Sequence, residues 1–131
     1  MNKLIIVLLL FSSNLLIFAQ TTEKSIYIFF ENNQNGMRKF TLDSSDSLYF
    51  FSYSSNLELF GLLFSPISQS KTISSFDFAK EKHEIHNYKW AIENLHVGNK
   101  MFWEEHKYFI VEITHNDSLK ITACTRSVLE E

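Results

Sequence analysis

The chain predicts an α+β fold: a mainly antiparallel sheet of about six strands, with a short helical segment between the fourth and fifth. Three observations lead there. The first half carries four apolar runs that alternate with period two between polar turns; residues 75–98 carry helix caps and helical spacing; and the chain closes on two alternating runs around one tight turn.

Taken in order, "SIYIFFE" (25–31) sets Ile26, Ile28 and Phe30 on one side and Tyr27, Phe29 and Glu31 on the other. "NNQNG" (32–36) reads as a hairpin loop in which Gly36 is free to take a positive φ. Residues 37–43 form a second strand, with Phe40 and Leu42 opposite Lys39 and Thr41, and "DSSDS" (43–47) turns the chain. In the third strand (48–54), Tyr49, Phe51 and Tyr53 share one face, and Leu48, Phe50 and Ser52 the other. Residues 57–65 read as a fourth strand, although Leu57, Phe60 and Phe64 also fit helical spacing. The only proline, Pro66, opens a loop to residue 71.

Ser75 then caps a short helix over 76–83, with Asp77 near its positive end. Asn87 caps another, in which Tyr88, Ala91, Ile92 and Leu95 fall at i, i+3, i+4 and i+7 before Gly98 ends it. Residues 108–115 and 119–126 alternate as two strands around the turn "HNDS" (115–118).

The first 19 residues read as a cleaved secretory signal. Lys3 precedes an apolar run over 4–18 that three polar residues interrupt, and Ala19 stands before the polar boundary. A bilayer span needs about 20 apolar residues, so this stretch is short for an anchor. Removal of 19 of the 131 residues leaves a single domain over 20–131, expected to be soluble in the periplasm or the medium with no stable membrane span. Lys3 leaves with the signal, taking the formal charge from −3 to −4; such a chain lacks the clustered cations that nucleic acid requires. The single Cys124 excludes an internal disulfide, so stability comes from packing, and Cys124 itself reads as a small half-buried strand residue. Asn116-Asp117-Ser118 matches a glycosylation sequon but coincides with the closing turn.

The ending "IFAQ" of the signal, the aromatic "IYIFFE" strand, the middle "HNYKWAIEN" and the closing "KYFIVEITHNDSLKIT" together resemble the small exported proteins of unknown function common in Bacteroidota. The likeness lies in layout over most of the chain. It implies a periplasmic or secreted location and brings no site residues with it.

Several chemistries are excluded. Gly36, Gly61 and Gly98 are too few and too scattered for a phosphate cradle or dinucleotide fingerprint, no G-x-S-x-G elbow exists, and no cofactor is expected. "EKHEIHNYKW" places His83 and His86 three apart beside Glu81 and Glu84; on a helix the two imidazoles share a face and can hold zinc, one residue short of the H-E-x-x-H pattern. "WEEH" (103–106) offers Glu104, Glu105 and His106 for proton transfer.

The aromatic load is the remaining feature. The mature chain keeps 11 Phe, 5 Tyr and 2 Trp, more than a one-sided sheet needs to fill its core. The leading expectation is therefore a non-enzymatic interaction module, whose contact with a protein, an apolar ligand or a second copy is the face of Tyr27, Phe29, Tyr49, Phe51 and Tyr53. The alternatives are a small metal-dependent hydrolase using His83 and His86, and a carrier whose aromatic residues line an internal cavity.

Overall fold

A computed structural model of the chain describes residues 24–41, 47–54 and 60–129. The expected signal over 1–19, most of the expected 43–47 turn and the first part of the expected fourth strand lie outside the described residues. The elements are β1 (Lys24–Phe29), β2 (Met37–Thr41), β3 (Ser47–Ser52), β4 (Gly61–Pro66), β5 (Lys71–Ser74), α1 (Ser75–Lys80), β6 (Ile85–His86), α2 (Tyr88–Leu95), a 3-10 turn (Lys100–Trp103), β7 (His106–Ile113) and β8 (Ser118–Leu129). Among the described residues these strands build one mixed sheet in the order β2-β3-β4-β8-β7-β1-β6, with β5 also on β8.

The α+β class holds, but the sheet has eight strands rather than six and is not wholly antiparallel, because β1 runs parallel to both β7 and β6. The hairpin expected between β1 and β2 does not form. β1 pairs Ile26 with Tyr108 and Ile28 with Ile110, whereas β2 pairs with β3. A strand apolar on both faces gains most from an interior place. β2 carries Arg38, Lys39 and Thr41 and suits an edge. The connecting loop turns on Asn33, Asn35 and Gly36, all at positive φ, so its Asn and Gly composition was a sound sign of a turn but not of a hairpin.

The sheet curls so that its two ends approach. The Phe30 ring, just past β1, stands edge-on 4.9 Å from Tyr49 of β3, and the Lys39 ammonium of β2 reaches the Glu112 carboxylate of β7 at 2.8 Å. At the β3–β4 contact a side chain on Gly61 would run into the Phe51 carbonyl oxygen, so only glycine permits this approach. β4 and β5 lie along the same edge of β8. Pro66 faces Cys124 and Lys71 faces Ile121, so the four residues 67–70 stand opposite only Thr122 and Ala123 and the chain bulges there, the Ile67 amide still donating to the Ala123 carbonyl. The loop expected after Pro66 is thus real but shorter, and the sequence "KTIS" returns to the sheet; a four-residue stretch that is half polar carries too little alternation to be recognised.

α2 covers the concave face. Asn87 caps it by accepting from the Trp90 amide at 2.8 Å; Ala91 and Leu95 are fully buried, and Tyr88 and Ile92 pack against the same core. The Tyr88 hydroxyl donates to the Ser52 carbonyl and ties the helix to β3. The core beneath consists of the inward residues of β1, β3, β4 and β7, among them Ile28, Phe51, Leu62, Phe64 and Ile110 at 0 % exposure. Burying each of these contributes roughly 1.5–3 kcal/mol. α1 is shorter than expected and begins one residue earlier. Ser74, not Ser75, caps it by accepting from the Asp77 amide, and Lys82 at positive φ turns the chain away before His83.

Candidate functional site

The five aromatic residues expected to form one contact face do not share a surface. Tyr49 and Phe51 are 1 % and 0 % exposed inside the core, and Tyr53 packs against that core. Tyr27 and Phe29 lie on the opposite face of the sheet, half-buried. Alternation within each strand is as expected. The relative parity of two strands is set by pairing: β1 turns its even-numbered residues inward and β3 its odd-numbered ones. On the outer face Tyr27 lies between the Phe109 ring at 4.7 Å and the His83 ring at 4.2 Å, with Phe78 of α1 edge-on at 5.5 Å.

His83 and His86 do not share a helix face. His83 lies in extended chain after α1, and His86 ends β6. The His83 Nε2 atom is 3.3 Å from the Tyr27 hydroxyl and 3.3 Å from Glu81, while the His86 ring stacks on Trp90 at 3.5 Å. Each imidazole is held by a different neighbour. Among the described residues, no three His, Cys, Asp or Glu side chains gather where they would hold a metal ion.

Two polar features enter the sheet's inner face. In the first, the Glu112 carboxylate accepts from the Lys39 ammonium at 2.8 Å and from the Tyr49 hydroxyl at 2.7 Å. Tyr49 also meets the Thr122 hydroxyl at 3.4 Å, which in turn pairs with Ser70 at 2.6 Å. Burial raises the Tyr49 hydroxyl far above the usual phenol range, with Thr122 opposing and the Glu112 carboxylate adding to the rise. This network links β2, β3, β7, β8 and the residue before β5, and closes one end of the curl.

The second feature is a cleft of about 590 Å³ between the 3-10 turn and the strands β7 and β8. It forms because β8 outruns its partner. The β7–β8 pairing ends at Tyr108 opposite Cys124, and β8 continues to Leu129 along β4 alone. Asn99 caps the 3-10 turn by accepting from the Met101 amide at 2.9 Å, which sets Phe102 and Trp103 over the gap. Arg126 projects into it: the guanidinium donates to the Tyr108 hydroxyl and to the Phe102 carbonyl, and lies 4.1 Å from the Phe102 ring and 4.9 Å from that of Tyr108. Burial lowers the Arg126 pKa, and the neighbouring Tyr108 and Tyr53 phenols push it back up. On the rim, Trp103 is 71 % and Ile67 64 % exposed.

No protein family, curated protein or solved structure matches this chain.

The structure brings the expected Glu104, Glu105 and His106 into this same cleft, together with Cys124. His106 is enclosed, with Nδ1 3.0 Å from the Glu104 carbonyl oxygen and Nε2 3.7 Å from the Glu104 carboxylate. Cys124 is buried, directs its thiol toward the Thr122 carbonyl, and has its pKa pushed up to about 12 by burial, with the Glu112 carboxylate adding to the rise. A thiol so placed stays protonated at neutral pH and is no nucleophile. Arg126 and Trp103 escaped the sequence reading. The signal was present for Arg126: it follows Thr122 and Cys124 at the same parity of a strand, so its cation belongs to the face that packs inward. No helix among the described residues is long and apolar enough to cross a membrane.

Proposed function

We propose that this chain is an exported binding module whose ligand enters the cleft between the 3-10 turn and the β7–β8 strands. The observation that carries this reading is an open, mainly apolar cleft with an exposed indole on its rim and a half-buried guanidinium within it. Ligand sites commonly combine about 300–1,000 Å³ of space, apolar and aromatic walls and a few placed polar groups. The inert thiol and the ring-clamped Arg126 support holding a ligand rather than transforming one. Of the aromatic residues first expected to bind, Tyr49, Phe51 and Tyr53 belong to or pack on the core, Tyr27 is stacked in the outer cluster, and Phe29 stands apart from both beside Asn87 and Tyr88.

The test uses the indole as a reporter. In a Trp90→Phe variant Trp103 is the only tryptophan, and the neutral dye Nile red is expected to quench its emission on entering the cleft. Trp103→Ala and Ile67→Glu are expected to weaken dye binding, and Tyr27→Ala to leave it intact. Dye binding that survives changes at Trp103 and Ile67 but is lost on Tyr27→Ala would move the site to the outer stack.

A further inference from the structure

We infer that the ligand of this cleft is an organic monocarboxylate, with its apolar body against Trp103, Ile67 and Phe102 and its carboxylate on Arg126. This rests on the cleft being the binding site.

The argument begins with charge. Lys39, the other part-buried cation of the inner face, sits 2.8 Å from Glu112. Around Arg126, among the described residues, no carboxylate stands within ion-pair distance, and both hydrogen-bond partners, the Tyr108 hydroxyl and the Phe102 carbonyl, are neutral. A half-buried cation with no acid beside it among the described residues, and with N–H donors facing an open cleft, is suited to an anion.

Geometry narrows the class. A guanidinium has five N–H donors; Tyr108 and Phe102 take two, which leaves enough for a forked, bidentate contact with a carboxylate. The rings of Phe102 and Tyr108 restrain the guanidinium, so little side-chain freedom remains to be lost on binding. Glu104 and Glu105 line the same cleft as Arg126 and the exposed Lys107, so the formal charges of these four groups cancel, which suits a monoanion better than a dianion such as a phosphate monoester. The exposed Trp103 and Ile67 give an apolar tail a surface to cover, so the acid should carry a chain or ring rather than be acetate-sized.

The experiment displaces Nile red from the purified protein at neutral pH and low ionic strength with dodecanoate, dodecanol, dodecylamine and dodecyl phosphate, each below its micellar concentration. Dodecanoate is expected to displace the dye at about one-tenth the concentration of dodecanol, the worth of one charge-assisted contact. Dodecylamine should be weakest, and added salt should narrow the gap. Arg126→Gln should bring dodecanoate and dodecanol within about twofold of each other, while Arg126→Lys, which keeps the charge but not the fork, should retain part of the preference. Equal displacement by acid and alcohol in the unaltered protein overturns the inference without any variant, as does a preference that persists in a folded Arg126→Gln protein. Dodecyl phosphate displacing better than dodecanoate reassigns the headgroup and overturns the carboxylate. Nile red that fails to bind, or binds regardless of Trp103 and Ile67, refutes the cleft as the site, and the inference falls with it.

Discussion

Thr122 and Arg126 both leave β8 on its inward face, four residues apart, and meet different surroundings. Thr122 joins a chain of partners, Ser70, Tyr49, Glu112 and Lys39, in which the one acid faces the one base and the strand edges are closed by β7 and β5. Arg126 lies where β7 no longer pairs with β8, and among the described residues it finds two rings, a hydroxyl and a carbonyl but no acid. A polar group fully matched within the protein contributes to holding the fold. One matched in hydrogen bonds but not in charge keeps a capacity for something outside it. The split between two strands is what separates the matched network from the open cleft in this molecule.

The sharpest way to break this comparison is to remove the acid from the matched network. Glu112→Ala leaves the Lys39 ammonium and Tyr49 hydroxyl without their acceptor, and a loss of roughly 3 kcal/mol is expected in urea unfolding. If Glu112→Ala destabilises no more than a change at Arg126, the network is not the structural element assigned to it.

A smaller effect should appear with alkali. Burial raises the Cys124 thiol to about 12 and also raises the Tyr49 hydroxyl, so the folded chain keeps protons that the unfolded chain releases. The stability this represents is fully present below the thiol's ordinary pKa, near pH 8.5, and is lost as pH rises toward 12. For each such group the decline is on the order of 1 kcal/mol per pH unit, beginning near pH 8.5 for the thiol and about pH 10 for the phenol. Chemical unfolding measured at successive pH values should show it, with Cys124→Ala removing part of the slope. The thiol should also stay unreactive toward a disulfide reagent at pH 8 until the chain unfolds.

The smallest effect on stability is expected at the cleft. Arg126→Gln breaks no ion pair among the described residues but forfeits the ring contacts and the guanidinium's hydrogen bonds to the Tyr108 hydroxyl and the Phe102 carbonyl, so its cost should be about 1–2 kcal/mol by thermal unfolding, below that of Glu112→Ala. A much larger loss would make Arg126 a second structural network, and the contrast with Thr122 would disappear.

The legible part of the molecule was its local part. Asn87 as a cap, the i, i+3, i+4, i+7 set of α2, the alternation of β1, β3, β7 and β8, and the turn at residues 115–117 depend on neighbours a few positions away, where the chain's own chemistry acts. The short β5 and β6 escaped notice because four and two residues do not make a period. The helical reading of His83 and His86 failed because Lys82 takes a left-handed conformation and β6 pairs with β1, an interaction 58 residues away in the chain that no local pattern contains. The single aromatic face failed through parity: within a strand alternate residues must share a face, but nothing local says whether the odd or the even set turns inward.

By itself, then, the sequence determined the α+β class, the Asn87 cap, the inward set of α2 and the alternation within its longer strands. Tertiary structure alone decided that β1 lies parallel to β7, that the sheet curls until Phe30 meets Tyr49, and that β8 outruns β7 and leaves Arg126 in an open cleft. The physical reason is range. Propensity, capping and periodicity act over one or two turns of chain, whereas strand order, register and the place where two strands part depend on how all the apolar faces are buried at once.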